Sequence, residues 1–107
     1  MAIHKTDQFS APDQQMSSLA KAMSHPARIA ILRILAQRNN MTCGEIVELL
    51  PLAQATVSHH LKDLVDVSMI NLIHEGKKSL YELNAKTWNA FSNDFSGLLS
   101  VLGSSAK

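Results

Sequence analysis

A chain of 107 residues with 46% hydrophobic and 18% charged side chains has material for one globular core and is too apolar for wholesale disorder. Ten basic against nine acidic residues leave a formal charge of +1, which excludes a polybasic tail, so any grip on nucleic acid has to come from charge gathered on one face. The single cysteine excludes an internal disulfide framework and a multi-thiolate zinc site within one chain.

Residues 1–12 are polar and aperiodic, which predicts a flexible N-terminal arm. They lack the apolar core of a signal peptide, and no stretch approaches the roughly 18 apolar residues of a membrane span, so a reducing cytoplasm is the expected compartment. From Asp13 the pattern is helical, with Met16, Leu19, Ala20 and Met23 at spacings of three and four. Pro26 starts a second helix at a position where its missing N–H costs nothing. Its stripe is Ile29, Leu32 and Leu35, widened by Ile31 and Ile34, and Asn39-Asn40 ends it. Thr42 and Glu45 are spaced as a capping box, with Met41 and Ile46 at the positions of a hydrophobic staple. That short third helix stops before Pro51. A fourth runs from about Ala53 to Val67 on Val57, Leu61 and Leu64.

The period then changes. Ile70–His74 and Ser79–Leu83 are short and rich in strand formers, and Glu75-Gly76-Lys77-Lys78 between them is a turn with glycine where positive φ is expected. A last helix runs from Ala85 to about Leu102 with Trp88, Phe91, Phe95, Leu98, Leu99 and Leu102 on a three-four spacing, and residues 103–107 read as a frayed tail. The order α-α-α-α-β-β-α predicts a mainly helical winged helix-turn-helix over residues 13–102.

On the fourth helix, Val57, Leu61 and Leu64 form the buried face. Gln54, Ala55, Ser58, His59 and Lys62 fall on the other, which has no carboxylate before Asp63. Gln reads adenine bidentately, Ser pairs with either kind of partner, and Lys reaches guanine or phosphate. Gln54, Ala55, Ser58 and His59 are therefore candidate base contacts. Thr56, Lys62 and the hairpin-tip Lys77 and Lys78 are candidate backbone contacts. The last helix carries more apolar surface than one small core covers. Trp88, Phe91, Phe95, Leu98 and Leu102, with Met16, Leu19 and Met23 as the complement, are candidate homodimer residues.

Three segments, Leu19–Arg28, Gln54–Leu64 and Ile73–Leu83, resemble the ArsR/SmtB family of bacterial transcriptional repressors over about residues 13–102. The resemblance implies a homodimer joined through the first and last helices, a partly palindromic operator as double-stranded DNA partner, and repression relieved by a signal that the sequence does not name. It also exposes departures. The family's paired cysteine ligands before the recognition helix fall here on Thr42 and Gly44, with Cys43 between them, and the last helix offers only Asp94. A zinc or nickel site needs several converging donors, so the usual metal sites are expected to be missing, and no metal or cofactor is assigned. His25 stands where the family often has Asp, and Ala53 and Ala55 where it often has Ser, which weakens the caps and removes hydroxyl contacts. Cys43, in the first turn of a helix whose dipole favours a thiolate, leaves a thiol redox sensor as one alternative; a winged helix that binds only protein is another. Enzyme chemistry is not expected: there is no nucleophile-base-acid spacing and no glycine-rich phosphate loop among four glycines.

Overall fold

The computed structural model describes residues 8–106 and contains five helices and one hairpin: α1 (Ala11–Ala22), α2 (Pro26–Gln37), α3 (Cys43–Val47), α4 (Gln54–Asp66), β1 (Ile70–Glu75), β2 (Lys78–Leu83) and α5 (Ala85–Ser105). Seven residues of the expected N-terminal arm, 1–7, and Lys107 of the expected tail lie outside the described residues.

Helix α1 opens two residues before its periodicity does. Ser10 is the N-cap, its hydroxyl accepting from the Asp13 N–H at 3.3 Å, and Pro12 occupies the first turn. Helix α2 starts on Pro26 as expected, but its N-cap His25 makes no side-chain bond to the helix. Its buried face is Ile31, Leu32 and Leu35; Ile29, expected in that stripe, is exposed instead. Ile29 lines a shallow groove with Leu32, Arg33, Ala36, Leu83 and Trp88.

Helix α3 is fixed by local chemistry. The Thr42 hydroxyl accepts from the Glu45 N–H at 3.2 Å while the Glu45 carboxylate accepts from the Thr42 N–H at 2.9 Å, closing the capping box. Met41 and Ile46, on either side of it, are both fully buried. Those bonds from Thr42, helped by Arg38 and Lys78, hold the Glu45 carboxyl below the usual carboxylate range. Because α3 is only five residues long, the cap is a large part of what makes it helical. Thr42→Ala is expected to cost about 1 kcal/mol, read as a lower midpoint in urea unfolding at unchanged slope.

The core joins Leu19 and Ala22 of α1, the α2 stripe, Ile46, the α4 stripe Val57, Leu61 and Leu64, then Met69, Ile70 and Phe91. No polar side chain is buried among the described residues. Helix α3 packs on α4, α4 on α2 and β1, and α1 on α5. The hairpin pairs Ile70 with Leu83 through Glu75 with Lys78. Its turn is Gly76-Lys77, and Gly76 takes φ +63°, the first position of a type II′ turn. Met41 exchanges backbone bonds with Tyr81 at 3.1 and 2.8 Å, so β2 has a short partner on its other edge.

Helix α5 is held at its start by the Asn84 side chain, which accepts from the Thr87 N–H at 3.2 Å, and by the Trp88 indole, which donates to the Met69 carbonyl at 2.8 Å. It does not end at Leu102. The helix runs on to Ser105, the Ala106 N–H closing on the Leu102 carbonyl at 3.0 Å, because glycine and serine lower helix propensity without forbidding the ladder as proline does. No helix among the described residues is long and apolar enough to cross a membrane.

Candidate nucleic-acid interface

Helix α4 presents two opposite faces. Val57, Leu61 and Leu64 are fully buried, and Gln54, Ala55, Thr56, Ser58, His59 and Lys62 are exposed. Its N-cap, Ala53, makes no side-chain bond, so the first-turn N–H groups of α4 receive no hydroxyl cap from the chain. The hairpin tip carries Lys77 in the turn and Lys78 opposite Glu75, both exposed. Lys78 also acts electrostatically on Glu45, which leaves Lys77 as the less encumbered ammonium.

Two of the expected contact residues already have partners. Lys62 Nζ lies 3.0 Å from Asp66 Oδ2, and that hydrogen bond and charge raise its pKa above the usual lysine value. His59 Nε2 stands 3.4 Å from Asp63 Oδ2, one turn along the helix, with most of its ring in solvent. Asp63 is the carboxylate that ends the neutral stretch, and it also takes the Arg28 guanidinium at 2.5 Å.

Sequence reasoning missed that arginine. Arg28 Nε donates to His60 Nδ1 at 3.0 Å and Arg28 Nη1 donates to the Ala22 carbonyl at 3.3 Å. The His60 ring lies 5.6 Å from that of His25. The available signal was a cation, one of two among the apolar residues of α2; its partners, 32 and 35 residues away, gave no local sign.

The expected dimer residues separate into three groups. Leu19 is 1% exposed and Phe91 6%, so both belong to the protomer's own core and leave the interface set. Met16, Met23 and Trp88 are half-buried against that core. Phe95, Leu98 and Leu102 are exposed, and Leu99 and Val101, 52% and 62% exposed, join them along the C-terminal half of α5. A periodic stripe does not say which of its rungs the chain itself covers.

Cys43 is half-buried, and burial pushes its thiol pKa up, opposite to the shift expected from a helix dipole. Five residues of α3 supply little dipole against that desolvation. Among the described residues, no group of three or more His, Cys, Asp or Glu converges in a way that could hold a metal ion.

Residues 23–73 match a family described as a helix-turn-helix domain. The chain is 34% identical over 71 residues to the arsenical resistance operon repressor of Staphylococcus xylosus, covering 66% of this chain and 67% of that one. It is 31% identical over 83 residues to the HTH-type transcriptional regulator YgaV of Escherichia coli, covering 78% and 84%. Among solved structures it resembles the homodimeric winged helix-turn-helix DNA-binding domain Mb0332 of Mycobacterium bovis at TM-score 0.67 and 20% identity, covering 97% of this chain and 89% of that one.

Proposed function

The chain belongs to the ArsR/SmtB family of winged helix-turn-helix transcription regulators, and from that membership we propose that two copies bind a partly palindromic DNA operator and repress transcription from it. The observation that carries this reading is the exposed face of α4, where Gln54, Ala55, Ser58 and His59 stand in solvent opposite the buried apolar residues Val57, Leu61 and Leu64. Small and polar groups on a helix of this length approach base edges in the major groove. Thr56, Lys62 and the tip lysines Lys77 and Lys78 hold phosphates, Lys62 by exchanging Asp66 for the DNA backbone. The exposed apolar half of α5, with Met16 and Met23 as its complement, joins the two copies, and the homodimeric Mycobacterium bovis domain supports this assembly. A dimer doubles the basic tips, which offsets the weak charge of one chain.

The test is selection of duplexes from a random pool, followed by affinity measurements across salt. A two-fold-symmetric selected sequence whose binding falls steeply with salt supports the reading. A protein that selects no duplex at low salt overturns it and favours a protein-binding winged helix.

Metals are not the signal in this reading. Thr42 and Gly44 carry no ligand atoms at the family's thiolate positions, and Asp94 is the lone donor on α5 between Lys86 and Leu102. Titrating Zn²⁺, Ni²⁺, Cd²⁺ or As(III) into the protein–duplex complex is expected to leave fluorescence anisotropy unchanged. Stoichiometric release of the DNA by any of them would show that a metal site had been missed.

A further inference from the structure

Beside their shared apolar core, α4 and the start of α2 are joined by the hydrogen bonds of one residue. Arg28 is 12% exposed at its side chain and donates in three directions: to the Ala22 carbonyl at the end of α1, to His60 Nδ1 and to Asp63 on α4. The last two are one turn apart on the helix, so a single planar guanidinium fixes both the rotation of α4 and its distance from the α1–α2 junction. We propose that Arg28 is the positioning residue of the DNA-reading helix, and that it holds this helix in part through the neutral form of His60, so that protonating this imidazole loosens the hold of Arg28 on α4. The inference rests on the reading of α4 as the helix that enters the major groove.

The chemistry has one direction. A guanidinium always donates, so His60 Nδ1 must offer a lone pair, which an imidazolium lacks. Every neighbouring charge but one opposes that imidazolium. His25 and Arg28 face His60 from α2, His59 stands beside it on α4, and only Asp63 favours it, already shared between Arg28 and His59. Lys21 and Asp66 border a hollow that His25, Arg28 and Asp63 also line and that His60 does not. Desolvation first, then the charge of Arg28, lower the His60 pKa from its ordinary value. A depressed histidine pKa means that its contribution to the fold is present above about pH 6.5 and is lost as pH falls through the lowered value. Acid therefore strips the Arg28–His60 bond while adding positive charge around Arg28.

Two readouts test this, one without DNA. In side-chain ¹⁵N spectra of the free protein at pH 7.5, His60 is expected as the tautomer with hydrogen on Nε2. Arg28→Lys, which keeps the charge but not the fork, is expected to scramble that tautomer. The second readout is anisotropy on a duplex selected by the unmodified protein and on its scrambled counterpart, with circular dichroism confirming helix content. Arg28→Lys is expected to lose about tenfold on the selected duplex, the scale of one charge-assisted hydrogen bond, and little on the scrambled one. His60→Asn, whose amide oxygen replaces the Nδ1 acceptor and does not titrate, is expected to bind normally at pH 7.5. It is also expected to keep, at pH 5.5, the specific affinity that the unmodified protein loses. The proposal is overturned if the His60 spectrum ignores Arg28→Lys, if that variant weakens both duplexes equally, or if His60→Asn shows the same acid loss as the unmodified protein. Should no duplex be selected at all, the DNA reading fails separately and the imidazole spectra alone decide the clamp.

Discussion

Replacing Leu98 with glutamate is expected to turn the proposed dimer into a folded monomer. Leu98 lies on the half of α5 that its own protomer leaves uncovered, between Phe95 and Leu102. In a free protomer the new carboxylate reaches water, so the core around Phe91 and Trp88 keeps its packing. In the dimer it is buried without a partner, and two-fold symmetry imposes this in both copies. An uncompensated buried charge costs about 3–5 kcal/mol, so even one copy raises the dissociation constant by about two to four orders of magnitude. Sedimentation velocity from sub-micromolar to tens of micromolar protein reads the change, with circular dichroism confirming that helix is retained. An unmodified protein that sediments as a monomer throughout this range would remove the dimer from the proposed function.

The second large effect separates reading from holding. Gln54→Ala is expected to cost about 1–3 kcal/mol on the selected duplex and far less on a scrambled one, because a bidentate bond to a base counts only where the right base stands. Lys77→Ala is expected to weaken both duplexes by similar factors and to reduce the salt slope by about one unit for each phosphate the side chain no longer holds. Lys77 is the better choice than Lys78, which faces Glu75 across the hairpin and lies within the field of Glu45. Anisotropy over a salt series measures both. Equal weakening on the two duplexes for Gln54→Ala, with a sequence-selective effect for Lys77→Ala, would reverse the assigned roles.

What the sequence made legible was local. Pro26, the Thr42–Glu45 box and Gly76 each satisfy a backbone requirement within a few residues, and each marks its element where the structure has it. The start of α1 was available in the same way, from Ser10, Pro12 and Asp13, but the aperiodic composition around them concealed it. At the other end, Gly103 and Ser104 read as a stop although nothing there breaks the ladder. The α4 faces were legible because helical period and burial coincide. The partners of its outward side chains were not. Lys62 with Asp66 follows an ordinary four-residue spacing, whereas Arg28 with His60 and Asp63 depends on how two helices cross, which no spacing along the chain encodes. The inclusion of Leu19 and Phe91 among dimer residues has the same origin: apolar periodicity identifies a surface that must be covered and is silent on whether the cover is intramolecular.

Trp88 is the chain's only tryptophan, and its indole N–H is bonded to the carbonyl of Met69, which also accepts from the Asn84 N–H at 3.0 Å. That carbonyl sits where the end of α4, the root of the hairpin and the first turn of α5 meet, with the Phe91 ring edge-on to the indole at 5.7 Å. The molecule thus carries its own optical gauge at the junction between the parts proposed to read DNA and to join a second copy. Emission at tryptophan wavelengths comes from this one point, without a label and without background from elsewhere in the chain. Letting α5 swing away from the hairpin root exposes the indole to water and shifts that emission to the red, while fraying of the far end of α5 leaves it unchanged.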